Sequence, residues 1–306
     1  RKTAPAFPAL PPSMAVAGPR GLTGAGFRAS CSRPARYALG VALALATSLS
    51  FAAGGFGVEL TYISDNNVTR GIGVDELPDN ILAVSANYTW RLPLGERTRL
   101  VVQPSVGGES YFDHDGLSNV NAALSLQVQW RPGSGFQTPT LAVFAKAVAE
   151  EYESAMRDGA RLSYGVSARS LLTDRIGLYG ALTRETRVTD DPVFDTETTG
   201  IAVNLDYTVT RGSSVYLGLG YRQGDVVAST SMTPAPPYYI GVEDDAFPGL
   251  YASRTDGNTQ LYTLGFNYSI SERHALDVSA RLIRASADSG FEYDSRQFTL
   301  AYLGRF

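Results

Sequence analysis

The stretch Val120-Asn121-Ala122-Ala123-Leu124-Ser125-Leu126-Gln127-Val128-Gln129-Trp130 decides the fold. Val120, Ala122, Leu124, Leu126, Val128 and Trp130 share one parity. Asn121, Ala123, Ser125, Gln127 and Gln129 share the other. Successive side chains of a strand point to opposite faces, so this period of two gives one apolar and one polar face. An amphipathic helix would not keep a polar residue at every second position.

The same period recurs on both sides of this stretch. Strands are expected over 56–62, 82–90, 100–106, 120–130, 141–147, 162–168, 176–182, 201–209, 215–221, 262–270, 276–282 and 298–306. That makes twelve, an even number. Short polar links are expected at 91–97, 131–138, 173–175, 211–214 and 271–274. Longer acidic links are expected at 65–80, 113–119, 151–159, 190–199, 226–258 and 286–294. Short turns at one end and long loops at the other fit an all-β, antiparallel up-and-down barrel that spans a membrane. A soluble β-sandwich has similar strands one by one. Three features favour the barrel: strands of bilayer-crossing length, the asymmetry of the links, and aromatic residues near strand ends (Tyr62, Tyr88, Trp90, Trp130, Tyr207, Tyr221, Tyr302, Phe306).

The C-terminal residues carry a family resemblance. Phe298, Leu300, Tyr302 and Phe306 alternate as in the C-terminal strand signal of Gram-negative outer-membrane β-barrel proteins, which the chain resembles over 53–306. The resemblance implies an outer-membrane location. It also implies outer-membrane lipids and lipopolysaccharide as surroundings, and the barrel-assembly machinery as a partner during biogenesis. Gly304 departs from the signal, which more often has an apolar residue there. The segment 62–71 is similar to exported barrels of unassigned activity.

Composition agrees. The 306 residues carry 26 Lys and Arg against 30 Asp and Glu, a net charge of −4. Six of the basic residues and no acidic one fall in 1–52, which leaves a net of −10 for the remainder. Basic flank, short apolar tract over 37–49 and small residues up to Ala52 make a secretory signal peptide, with cleavage expected after about Ala52. A membrane anchor helix is the alternative; the short tract and the lack of a basic flank after it count against that. Cys31, the one cysteine, precedes the tract, and Met14 is a candidate start. The acidic balance argues against nucleic acid as a partner. Nothing in the sequence asks for a cofactor.

The polar strand faces define the expected lumen. Glu59, Glu109, Glu150, Glu185, Asp206 and Asp277 oppose Lys146, Arg161, Arg169, Arg187, Arg222 and Arg281 there. Such residues either tune a water-filled pore or plug a narrow one with ion pairs. The long links, with Asp225 at the edge of the longest, hold 21 of the 30 acidic residues, a surface that could take divalent cations through carboxylate oxygens. The longest link, 226–258, contains Pro234, Pro236, Pro237, Tyr238 and Tyr239, then Glu243, Asp244 and Asp245, and is expected to fold over or into the mouth as a constriction. A hydrolase would need a positioned base. His274 lies in a short turn. His114 lies between Asp113 and Asp115, but neighbours on a strand face opposite ways, so neither Asp is placed to serve it. The expected function is a narrow, porin-like pore for small solutes or ions. A non-conducting surface barrel with cation-binding loops is the second reading, and a hydrolase the third.

Overall fold

A computed structural model describes residues 54–231, 240–288 and 290–306. The expected signal peptide, Cys31, Met14 and the proline-tyrosine segment at 234–239 lie outside the described residues. Thirteen strands form one antiparallel sheet: β1 (Gly54–Asp65), β2 (Asp79–Pro93), β3 (Thr98–Tyr111), β4 (Asn119–Trp130), β5 (Thr140–Tyr152), β6 (Gly159–Leu171), β7 (Ile176–Thr189), β8 (Thr196–Thr210), β9 (Ser213–Thr230), β10 (Ile240–Glu243), β11 (Tyr251–Ser269), β12 (His274–Ala287) and β13 (Glu292–Arg305). Twelve are staves of a closed barrel, because β1 pairs with β13 and β9 pairs with β11. The short β10 lies outside the ring and adds to the free edge of β11 at Tyr251–Arg254.

The period-two faces end up where their chemistry requires. The apolar parity points outward: Leu60, Val84, Val143, Leu182 and Leu264 are 46, 53, 63, 53 and 59% exposed on a closed wall. A belt of this extent has no aqueous explanation and matches a lipid-facing surface. Closure follows from the same solvent, since lipid offers no partner to an open strand edge. Trp90 departs from the expected girdle. It is 4% exposed and packs on Tyr88, with ring centroids 4.8 Å apart.

The staves run 12–19 residues, longer than the 9–11 that cross a bilayer. The excess lies mostly at the long-loop end and shortens what the sequence suggested were loops. The link after β5 is only Glu153–Asp158, whereas the opposite-end link after β4 spans Arg131–Pro139. The expected asymmetry of link lengths is therefore weaker than read. Much of the acidic sequence is strand and tight turn above the apolar belt.

Those turns share one construction. After β3, β5 and β7 the chain makes a single 3-10 turn (Asp115–Leu117, Ala155–Arg157, Pro192–Phe194). A side-chain oxygen just beyond then accepts the last strand amide: Ser118 from Tyr111 at 3.0 Å, Asp158 from Tyr152 at 2.6 Å, Asp195 from Thr189 at 2.6 Å. Neighbouring turns are stitched by backbone bonds, Ser154 N to Gly116 O at 3.1 Å and Asp191 N to Met156 O at 3.1 Å. The acids here satisfy backbone donors that a rim would otherwise leave unpaired.

Candidate functional site

The inward parity lines a polar lumen. A cavity of about 470 Å³ lies against β1–β8, bordered by Glu59, Asn87, Gln103, Glu109, Lys146 and Arg161 among others. Its walls are mostly Ser, Asn, Gln, Thr and small residues, so it is a space for water rather than an apolar core. Four of the twelve expected lumen charges line it.

The lumen charges are locally paired. Glu150 forms ion pairs with Arg161 and, at 3.2 Å, with Arg187. Arg187 also lies over the Tyr152 ring at 5.2 Å. Glu185 accepts from Ser163 at 2.7 Å, Glu59 accepts from Thr61 at 3.1 Å, and Asp277 accepts from Tyr216 at 2.9 Å. Arg281 donates to Thr263 at 3.4 Å. Glu109 and Asn119 meet at 3.4 Å. Arg169 and Asp206 face the lumen nearer the short-turn end, on β6 and β8. Arg222 makes no ion pair among the described residues, and its Nε is buried without a hydrogen-bond partner.

Two loops cross the mouth. The β1–β2 link turns inward from Asp65, which is 1% exposed. Arg70, at φ 57°, sets its Nη2 3.0 Å from Asp65 and donates through Nη1 to Ser295 at 2.6 Å and to the Asn67 carbonyl at 2.7 Å. Desolvation in the mouth lowers the pKa of Arg70, but Asp65 beside it holds the guanidinium above its ordinary value. The far side of this loop reaches β9, where Thr69 O accepts from Ser229 N and Asp75 accepts from Ser231 N, both at 2.9 Å. Arg70 falls within the expected 65–80 link. Its place at the lumen entrance had no signal beyond being a lone cation among acids.

The second crossing segment is the long link. Strands β9 and β11 stay paired beyond the rim to Thr230 and Tyr251, and the tip Asp244–Leu250 lies on the turns after β3 and β5. Arg157 donates to both oxygens of Asp244 at 2.8 Å. Phe247 packs on His114 at 5.1 Å. Val193, Phe194 and Ala252 form a small apolar cluster with Met156, Val227 and Val242. In ring order β3 lies six staves from β9, so the segment spans the opening. Of the expected constriction acids, Asp244 is sealed on Arg157, Asp245 accepts from Ser154 at 2.5 Å and is half exposed, and Glu243 is exposed.

His114 does find a carboxylate, from another hairpin. Its Nδ1 lies 3.0 Å from Asp79, whose two oxygens also take the amides of Asn80, Phe112, Asp113 and His114. Asp79 is thus the hub of a turn. His274 sits at the start of β12, 2.7 Å from the Tyr302 hydroxyl. Among the described residues no group of three or more His, Cys, Asp or Glu is arranged to hold a metal ion.

The C-terminal signal residues lie on the outer face at the seam. Phe298, Leu300, Tyr302 and Phe306 are 50, 42, 36 and 62% exposed. Phe306 exchanges two backbone hydrogen bonds with Phe56, at 2.8 and 3.1 Å. Gly304 is covered by the Phe306 ring; a Cβ there would lie 3.2 Å from it. Apolar cover at that position thus comes from the neighbour's ring.

No family model matches the sequence, and none of the curated proteins matches it. Among solved structures, an outer membrane channel from Pseudomonas putida F1 is similar at a TM-score of 0.57 and 14% identity, over 85% of this chain and 97% of that one. The NanC porin (TM-score 0.45, 6% identity, 81% and 98% covered) and the KdgM porin in complex with oligogalacturonate (0.42, 9%, 82% and 99%) are more distant. The first likeness establishes a shared fold. That fold, with its apolar exterior, is a closed membrane-spanning β-barrel.

Proposed function

We propose that the protein is a narrow outer-membrane channel for small polar solutes or ions, covered at its mouth by two crossing loops. The observation that carries this is the polar lumen with its cavity of about 470 Å³. A barrel kept only as a scaffold has no need of water-sized space among charged side chains. The ion pairs around Glu150 act as fixed charges along the wall and hold the wall's geometry. The similar channel from Pseudomonas putida F1 supports the same reading by analogy of fold. Planar-bilayer recording tests it. Purified barrel is expected to give discrete conductance steps that grow when residues 231–250 are replaced by a short linker. Silence from both proteins would overturn it.

The second reading, a non-conducting barrel, draws on the crossing loops and the Glu150 ion pairs, which together could close the path. The same recording decides between them. A non-enzymatic role is part of the proposal. His114 is committed to the turn hub at Asp79, and among the described residues no Ser or Cys is hydrogen-bonded to it. Absence of peptide and ester hydrolysis by the purified barrel is the expected result.

A further inference from the structure

Near the mouth a second, smaller cavity of about 200 Å³ lies between β8, β9, β11, β12 and β13, under the inward-turned β1–β2 loop. A water takes about 30 Å³ in the liquid, so the space suits one small solute with a few waters. Its wall presents Arg70, Arg222, Tyr293, Thr198 and Thr259, which together offer mainly hydrogen-bond donors. Asp225 also borders it, but that carboxylate accepts from the Glu197 amide at 2.7 Å and lies 3.9 Å from Arg254.

On the wall of this cavity Arg222 is the cation that has neither an ion pair nor an acceptor for its Nε among the described residues. A buried guanidinium is expensive unless its donors are met. Arg161 and Arg187 share Glu150, and Arg70 has Asp65. Arg222 faces Gly200 on β8 and Thr259 on β11 in the register, with no carboxylate within 4 Å among the described residues and a buried Nε without an acceptor. Arg281, paired through Thr263, follows four residues deeper along β11. The cations thus step inward from Arg70 to Arg222 to Arg281 along one side of the lumen. Glu109, Glu150 and Glu185 belong to β3, β5 and β7, while Asp277 lies on β12 four residues nearer the short-turn end than Arg281.

We infer that this cavity is a binding subsite for a small oxyanion, a carboxylate or phosphate group of a solute, and that Arg222 is its principal ligand. The planar donor fork of Arg suits such a group, and the Tyr293 and Thr259 hydroxyls can complete its shell. The acidic rim does not argue against this, since many of its carboxylates are spent on backbone amides and on Arg157. The subsite deepens the channel reading by giving the solute a charge, and it rests on that reading only for transport.

The test separates the two. Inorganic phosphate is titrated onto the detergent-solubilised barrel and followed by phosphorus NMR line broadening, which does not require conduction. Saturable broadening is expected, weakened at least about tenfold in Arg222→Gln and partly retained in Arg222→Lys. The exposed Arg284→Gln should leave it unchanged. Circular dichroism confirms that each variant is folded. Citrate, followed by the linewidth of its methylene protons, replaces phosphate in a second arm, and the two arms distinguish phosphate from carboxylate solutes. Equal broadening in wild type and Arg222→Gln, or none in either arm, overturns the subsite. In bilayers, a reversal potential favouring chloride over potassium that shrinks in Arg222→Gln is expected. A silent wild-type barrel with Arg222-dependent phosphate binding would overturn the channel and leave the subsite standing.

Discussion

Arg157 and Asp244, 87 residues apart, join through two hydrogen bonds of 2.8 Å each. Their side chains are 7 and 0% exposed. The guanidinium also lies 4.1 Å over the Phe194 ring. Asp244 is saturated further by the Ser229 hydroxyl at 2.5 Å and the Ala246 amide at 3.1 Å. A sealed ion pair repays its desolvation only with such complete satisfaction. This pair therefore ties the tip of the long loop to the turn after β5.

Asp244→Ala is expected to release the loop. Without Asp244 the buried Arg157 keeps only the half-exposed Asp245, 3.3 Å away, as a carboxylate partner, so the docked arrangement loses less than the about 3–5 kcal/mol of a fully stranded charge. The wall pairing from β1 to β13 does not depend on it. The variant should therefore fold into a barrel, show new protease cleavage within 240–250, and pass a larger single-channel current than wild type. Unchanged cleavage and current would show that the apolar cluster at Val193 and Phe194 holds the loop by itself.

Glu150→Gln removes the acid shared by Arg161 and Arg187. Arg161 and Arg187, both partly exposed to the lumen, then lose their shared ion-pair partner, and the lumen gains a net positive charge. The expected result is a lower unfolding temperature together with a reversal potential displaced toward anions. Lumen substitutions tune selectivity in barrels, so the displacement should exceed that of an exposed control such as Glu272→Gln. Equal displacement in both would place Glu150 outside the conduction path.

The staves were legible because lipid on one side and water on the other impose a period of two, and Val120–Trp130 shows it with only Ala123 out of pattern. The lumen residues followed from parity alone. Contacts between loops were not legible, because they join positions with no periodic relation. Asp79 with His114 and Arg157 with Asp244 are examples. The acidic rim misled for a related reason. Charge counting treats every Asp as solvated, whereas Asp158 and Asp195 are turn residues that accept strand amides. Their recurrence six residues after Tyr152 and Thr189 is a signal that the sequence did contain.

Asp158 offers a pH test of that turn chemistry. Burial, with Glu151 and Asp190 adding repulsion, raises its pKa above the ordinary carboxylate value. A carboxylate whose folded pKa is raised destabilises the fold when ionised, so its penalty is absent at low pH and sets in as pH rises from the unfolded pKa through the raised one. Asp158→Asn keeps an acceptor for the Tyr152 amide and removes the repulsion. It should match or exceed wild type at pH 7 and lose the local gain on acidification. Asp158→Ala abandons the amide and is expected to cost about 1–2 kcal/mol. Hydrogen exchange at the Tyr152 amide, compared at pH 4 and pH 7, reads all three. Equal protection in wild type and Asp158→Ala would refute the capping role.

At the seam between β13 and β1 the Phe306 ring lies close over Gly304, where a Cβ would meet it at 3.2 Å. The ring is 6.2 Å from the Phe56 ring and 5.9 Å from His274, while the Phe306 backbone closes the ladder onto Phe56. A Leu at 304 would satisfy the usual C-terminal pattern in sequence, yet it would force this ring aside. Overpacking of this kind costs about 1–3 kcal/mol. Gly304→Leu should lower both the folded fraction on refolding into lipid vesicles and the unfolding temperature. Gly304→Leu combined with Phe306→Ala should recover part of that loss, because the inserted side chain then covers the space the ring held. If Gly304→Leu alone folds as well as wild type, the ring does not need the glycine, and the departure from the usual signal has another origin.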